Sequence, residues 1–538
     1  VPFLHPLFLA RRSAAPRIRL LALSLALACQ AAPPAVHAQV NLPALGDSVS
    51  GDFNVGTERR LGDAIMRDIR RDPDYLEDPI LDEYLASLWQ PLLAAARQTR
   101  NVGPDLDERF AWETFLVRDR AVNAFALPGG YVGVHLGLIA ITTSRDELAS
   151  VLAHELSHVT QRHIARSLVN SQRQSLIGLA ATILGVIAAG RSGSGDAANA
   201  LVTGGQAAAI QNQLNFSRDM EREADRVGFG VLNEAHFAPW GMASMFEKLD
   251  SASRLNDGNG FPYLRTHPLT TARIGEARSR LGPAGVPPSA ATSDLEHAVM
   301  QARARVLMDR RVESLRRLQG ATGDNASLPL AERVSAWCAS ALASSALGDH
   351  ARAQSAIQAA LALVQQGAKS DARAERAVRL LHAQLLLDSG QAARLPEVLQ
   401  RFADETSRPV MLLRAQAALA TPSGADEKLR RSAAELQTRV AIAPRDAIAW
   451  QLLSQVHERL GHPLQAVRAA AESHYALGDL SGAADRLRAG QRMARSGTST
   501  DFVEASVIDA RLRDIETQRR ELAAELRGEG RAAEDRLQ

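Results

Sequence analysis

Cysteine is nearly missing from this 538-residue chain, and lysine is almost as scarce. The only cysteines are Cys29 and Cys338, and Cys29 falls in an N-terminal segment that reads as removable. The remaining chain could then form no internal disulfide, even in an oxidising compartment. Lysine stands only at Lys248, Lys369 and Lys428. With arginine carrying the positive charge and alanine abundant, this reflects the base composition of a genome and says nothing of function. An excess of either charge is also missing. The formal net charge is +2 and falls to about −2 without the arginines of the leader, which argues against nucleic acid as a main partner. No apolar run reaches the ~20 residues that a membrane-spanning helix needs.

What the N-terminus does contain is an export pattern. Arg11, Arg12, Arg17 and Arg19 precede a short apolar core from Leu20 to Ala28, and Ala35-Val-His-Ala38 offers small residues at both cleavage-determining positions. A signal peptide over 1–38 is expected, cleaved near Ala38 and leaving Gln39 first. Lipidation at Cys29 is the weaker alternative, because Leu27 sits one place too close to the cysteine. Beyond the leader the chain divides into three parts. Mixed patterning runs over 47–281, a breaker-rich linker over 282–293, and an alanine-rich, almost continuously helical part over 294–495, with a charged helix and tail at 502–538. In the helical part Trp337, Gly348, Ala353 and Ile357 share their mutual offsets with Trp450, Gly461, Ala466 and Ala470. A bulky knob, a turn glycine and a close-approach alanine at these spacings form the tetratricopeptide pattern, although a plain helical bundle rich in alanine and glycine would carry similar residues. Such arrays offer concave surfaces to other proteins.

The segment His154-Glu155-Leu-Ser-His158 concentrates the chemistry. On a helix, residues four apart share a face, so both imidazoles can reach one ion, and neutral imidazole suits Zn²⁺. Glu155 between them is placed to act as general base. A catalytic zinc needs a third protein ligand. His163 would point about 140° away from His158 on a continuing helix and should not ligate, leaving it a structural or solvent-facing role. In Ser217-Arg-Asp-Met-Glu221-Arg-Glu223-Ala-Asp225, Glu221 and Asp225 share a face behind a good N-cap. Glu221 could ligate, and Asp225 could hold a ligand histidine's free N–H. Spacing alone leaves open an ordinary salt-bridged surface helix, given Arg218, Arg222 and Arg226.

The combination of His154-Glu155-x-x-His158 with Glu221-x-x-x-Asp225, and of Asn123-Ala-Phe-Ala-Leu-Pro-Gly-Gly-Tyr-Val-Gly-Val-His135 before it, resembles the HtpX and CAAX-prenyl-protease group of gluzincins. The resemblance implies an α+β zinc metallopeptidase domain over 47–281, mainly helical, followed by a tetratricopeptide-repeat solenoid. It implies one Zn²⁺ per chain held by His154, His158 and Glu221, with Glu155 as base and Asp225 beside it. It also implies that His267, in Leu264-Arg-Thr-His267-Pro-Leu, reaches back as a fourth ligand and keeps the enzyme latent; by itself it reads as a loop histidine beside Pro268. With the export signal and the repeats, the expected place is the periplasm. The expected substrates are unfolded or stalled outer-membrane β-barrel proteins, and the expected partner of the repeats is their assembly machinery. Tyr131, Val132, Gly133 and Val134 alternate after a Pro-Gly-Gly turn, as an exposed edge strand binding substrate backbone would, or equally as a buried core strand. The apolar segment Ser175–Gly190 is expected to be a lid or a peripheral contact with a membrane surface. A latent scaffold or chaperone, and a membrane-anchored protease, are the competing readings.

Overall fold

The computed structural model describes residues 53–170, 217–255, 262–282 and 294–534, apart from 325, 367–370, 422–423, 425 and 497–500. The leader 1–38, Ser175–Gly190 and linker residues 283–293 lie outside the described residues.

The first described helix, α1 (Val55–Arg70), is started by Asn54, whose side chain accepts from the Thr57 N–H at 2.9 Å. The second, α2 (Pro79–Gln98), is started by Asp78, with Pro79 where its missing N–H costs nothing. A four-stranded sheet follows, with β1 (Tyr75–Leu76), β2 (Glu113–Val117), β3 (Ala124–Leu127) and β4 (Tyr131–His135) in the order β1-β2-β4-β3. β2 and β4 are parallel, and both outer pairs are antiparallel. Gly129 and Gly130 make the β3–β4 turn at φ 77° and 88°, and a Cβ on Gly130 would lie 2.8 Å from Phe110 Cβ.

This order corrects the reading of Tyr131, Val132, Gly133 and Val134 as an edge strand. β4 is hydrogen-bonded on both sides, and all five of its residues are buried. Alternation of Tyr, Val, Gly and Val satisfies a strand with two packed faces, and it carries no signal of whether a third strand covers its edge. Among the described residues, the sheet edge beside the histidine helix belongs to β3.

That helix is α4 (Arg145–Thr160), preceded by the short α3 (Leu136–Ile141). Ser144 caps α4 by accepting from the Glu147 N–H, and Glu147 reaches back to the Thr143 N–H at 2.7 Å. Every residue of α4 from Glu147 to Thr160 is buried. It packs against α2, β3, α6 (Arg218–Glu234) and α7 (Trp240–Leu255), with α5 (His163–Asn170) between α4 and α6 in sequence. Two shorter helices follow, α8 (Pro262–Thr266) and α9 (Thr271–Leu281).

From α10 (Leu295–Leu307) onward the described chain is helical. α11 (Val312–Gly320), α12 (Leu330–Ala346), α13 (His350–Gln365), α14 (Ala372–Asp388), α15 (Arg408–Ala420), α16 (Asp426–Ile442), α17 (Ala447–Arg459), α18 (Pro463–Ala476), α19 (Leu480–Arg495) and α20 (Phe502–Glu534) mostly pack each on the next. Gly348, Gly461 and Gly478 take φ of 76–79° at the ends of α12, α17 and α18, where only glycine turns without strain. The described chain is therefore mostly helical with one small sheet. Its largest apolar core runs without a break from Val55 through α4 and α10 to Leu413. No helix among the described residues is long and apolar enough to cross a membrane.

Candidate metal centre

α4 turns His154 and His158 to the same side and brings their Nε2 atoms to 3.0 Å. α6 crosses them closely, because Gly228 leaves no Cβ at the contact. One placed there would lie 3.1 Å from Ala153 O and 3.2 Å from His154 N. Ser217 starts α6, accepting from the Met220 N–H, and one turn in Glu221 and Asp225 face α4. Glu221 Oε1 lies 3.4 Å from His158 Nε2, and its Oε2 lies 3.5 Å from His154 Nε2. His267, just after α8, completes the group, its Nδ1 being 3.0 Å from Glu221 Oε1 and 3.3 Å from His154 Nε2.

One ligand atom from each of these four residues falls within 4.8 Å of the others, and all four residues are buried. The edges of a zinc tetrahedron with two-ångström bonds are about 3.3 Å, and contacts of 3.0–3.5 Å among the three imidazoles and the two oxygens of the Glu221 carboxylate are compatible with one ion between them. The burial of unpaired polar atoms points the same way. Neither Glu155 oxygen has a hydrogen-bond partner among the described residues, although the side chain is wholly buried. His267 Nε2 lies 3.5 Å from Oε1. His267 thus faces the ligand cluster with one nitrogen and the base with the other.

Around the cluster lies a ring of partners. Asp225 Oδ1 sits 2.9 Å from His154 Nδ1, so the tautomer that leaves His154 Nε2 free to ligate is favoured. Burial opposes protonation of His154, but Asp225 and Glu221 outweigh it and raise its pKa to about 10 in the absence of a metal. Burial works against the Glu221 charge too, yet His267 and His154 hold its carboxyl far below the ordinary range. His158 is driven strongly toward the neutral form by burial and by His154.

His163 is excluded from the four-residue cluster, but it is neither on a continuing helix nor in solvent. The chain breaks at Arg162, at φ 52°, and restarts with His163 completely buried. Its Nδ1 is 2.9 Å from His158 Nδ1 and its Nε2 is 3.1 Å from Glu223 Oε2. Burial lowers its pKa to about 4, so it is neutral and can accept from His158 while donating to Glu223. Two further residues went unread in the sequence. Tyr263 stacks on His267 with ring centroids 4.6 Å apart. Arg273, on α9, is 2.7 Å from Glu221 Oε2 and chelates Asp225. In a chain this rich in arginine, nothing local distinguishes Arg273 from its neighbours.

Residues 88–281 match the family described as peptidase family M48. They form an M48 peptidase domain. The cluster of His154, His158, Glu221 and His267 could hold the zinc on which such a metalloprotease domain depends. Among known proteins, this chain is 39% identical over 259 residues to one from Vibrio cholerae, covering 47% of this chain and 50% of that one. It is 34% identical over 254 residues to the beta-barrel assembly-enhancing protease of Escherichia coli, covering 47% and 49%. It is also 34% identical over 187 residues to a mitochondrial metalloendopeptidase of Schizosaccharomyces pombe, covering 35% and 51%. The chain spans about half the length of the curated relatives it matches.

Proposed function

We propose that the chain is an exported zinc metalloendopeptidase whose resting site is closed by His267. The observation that carries this is the two-sided placement of His267, Nδ1 on the ligand cluster and Nε2 toward Glu155. Zinc, when bound, polarises a peptide carbonyl and makes a nearby water acidic. His154, His158 and Glu221 hold the ion, and Asp225 and His163 fix the two imidazoles. Glu155 accepts the water's proton on a carboxylate oxygen and delivers it to the leaving amine nitrogen. It can do so only when His267 has moved away, since a site with four protein ligands is structural and one with three is catalytic. The test is zinc analysis with a casein digestion assay. Glu155→Gln should abolish cleavage and retain zinc, whereas His267→Ala should cleave faster than wild type. Loss of activity in His267→Ala would make it a catalytic helper and overturn the latency.

The finer reading rests on the relatives and on the helical half. We read the helix pairs around Trp337 and Trp450, with turns at Gly348 and Gly461, as tetratricopeptide-type repeats forming a solenoid. The signal at 1–38 supports release into the periplasm. Relatives that carry β-barrel assembly in their names support unfolded or stalled outer-membrane β-barrel proteins as substrates, with the repeats docking on the assembly machinery. A chaperone or scaffold with a mostly closed site is the second reading, favoured by the fourth donor. Complementation by Glu155→Gln separates the two, because a scaffold tolerates that change.

A further inference from the structure

Arg273 is nearly fully buried, and each of its three guanidinium nitrogens meets an acceptor. Nε and Nη2 donate to the two Asp225 oxygens at 2.7 and 2.8 Å. Nη1 donates to the Pro268 carbonyl at 2.9 Å and lies 2.7 Å from Glu221 Oε2. The Phe246 ring, from α7, lies 5.1 Å from the guanidinium carbon and supports its plane. One side chain therefore touches the ligand carboxylate, the aspartate behind His154, and the backbone of the residue that follows His267.

We propose that Arg273 is the positioning residue of this metal centre, with two tasks. The first is to engage Glu221 Oε2, which also lies 3.5 Å from His154 Nε2, and so to fix the carboxylate in the orientation that turns Oε1 to His158 Nε2 and His267 Nδ1. The second is to hold the Pro268 carbonyl, which pins the segment carrying His267 over the site. Both tasks need a rigid fork with several donors in one plane, and a lysine of the same charge has a single point donor. Closure of the site and the geometry of its zinc ligands are thus set by the same group. An opening motion must break the Pro268 contact while leaving Asp225 and Glu221 in place. This rests on the reading of His154, His158 and Glu221 as zinc ligands; a wild-type chain that binds no zinc would end that reading before Arg273 came into question.

The experiment keeps the charge and removes the fork. Zinc affinity is measured by competition with a chelator in wild type, Arg273→Lys, and His267→Ala with and without Arg273→Lys. Backbone hydrogen exchange over 263–269 is followed in the first two. Arg273→Lys is expected to bind Zn²⁺ about 10–100-fold more weakly, the ordinary effect of removing a group that orients a ligand. The same drop is expected in the His267→Ala background, because the Glu221 task does not pass through the loop. Exchange over 263–269 should be faster in Arg273→Lys, with thermal unfolding of the rest of the chain unchanged. Wild-type zinc affinity in Arg273→Lys overturns the first task, and wild-type exchange over 263–269 overturns the second. Phe246→Leu, which removes the support without touching charge, should shift both readouts in the same direction. It decides the matter if Arg273→Lys does not fold.

Discussion

A ligand histidine is held by whatever meets its other ring nitrogen. His154 has Asp225 there, and His158 has His163 backed by Glu223. His163→Phe keeps the ring volume and removes the acceptor from His158 Nδ1, so it should weaken zinc binding about 10–100-fold. Glu155→Gln should leave zinc binding unchanged, because Glu155 is not among the clustered donors; the two variants are compared by the same chelator titration. Equal affinity in His163→Phe and wild type would make His163 a packing residue only. The contrast explains how far the site could be read. His154, Glu155 and His158, and likewise Glu221 and Asp225, were legible because helical periodicity fixes which side chains share a face. His163 was misplaced because that periodicity ends at Arg162, whose positive φ has no signature in an arginine. Arg273 was missed because its partners lie 48 and 52 residues away, on a different helix.

At the scale of elements, the decisive contact is α6 on α4. Gly228 sets it, since a Cβ there would press on the Ala153 carbonyl and the His154 nitrogen, the backbone of the ligand helix itself. Gly228→Val should push α6 outward by some tenths of an ångström and pull Glu221 and Asp225 off the histidines. Zinc stoichiometry should fall while far-UV circular dichroism stays at the wild-type level, and full zinc loading would show that the two helices tolerate a wider gap. The sheet teaches a different lesson. Strand β4 could be recognised as a strand from alternation, but its place inside the sheet depends on β2 and β3 pairing with it from either side. Between β1 and α2, Glu77 is a carboxylate whose pKa is raised to about 7, mainly by burial, with Arg408 opposing and Asp446 adding to it. A raised pKa means that the folded chain holds a proton the unfolded chain has lost. The stabilisation is full below about pH 4 and disappears as pH rises through 7. Glu77→Gln should therefore match wild type in melting temperature near pH 4 and exceed it at pH 8, by about 1 kcal/mol after allowing for solvent screening. A constant difference across that range would mean that Glu77 titrates normally.

Over the whole molecule, what joins the M48 domain to the helical half is a continuous apolar core crossed by buried charge. α10 lies against α2 and α3 on one side and α12 and α14 on the other, so the core of the peptidase and that of the first helix pairs are one. The linker composition marked a break in sequence, but not that Val299, Met300 and Val306 belong to the same core as residues more than a hundred positions earlier. Across this joint Arg303 donates to both Asp78 oxygens at 2.6–3.0 Å, with both side chains almost fully buried, and Arg376 and Arg408 pair with Glu83 and Asp82 further along. Asp78 also caps α2 through the Leu81 N–H. Removing one partner of such a pair leaves a charge in a dry site, which costs about 3–5 kcal/mol, whereas removing both charges costs far less. Arg303→Met should accordingly lower the denaturant midpoint sharply. Asp78→Asn preserves the cap, since asparagine is as good an N-cap as aspartate, and removes the stranded charge. The double variant should regain most of the lost stability, and tryptophan fluorescence should report this in a single transition, because Trp89 lies in the shared core and Trp337 packs against it. An additive double variant would show that Asp78 and Arg303 do not act as a pair. Two separate transitions in the wild type would show that the peptidase and the helical half unfold independently, and that the shared core does not bind them into one cooperative unit.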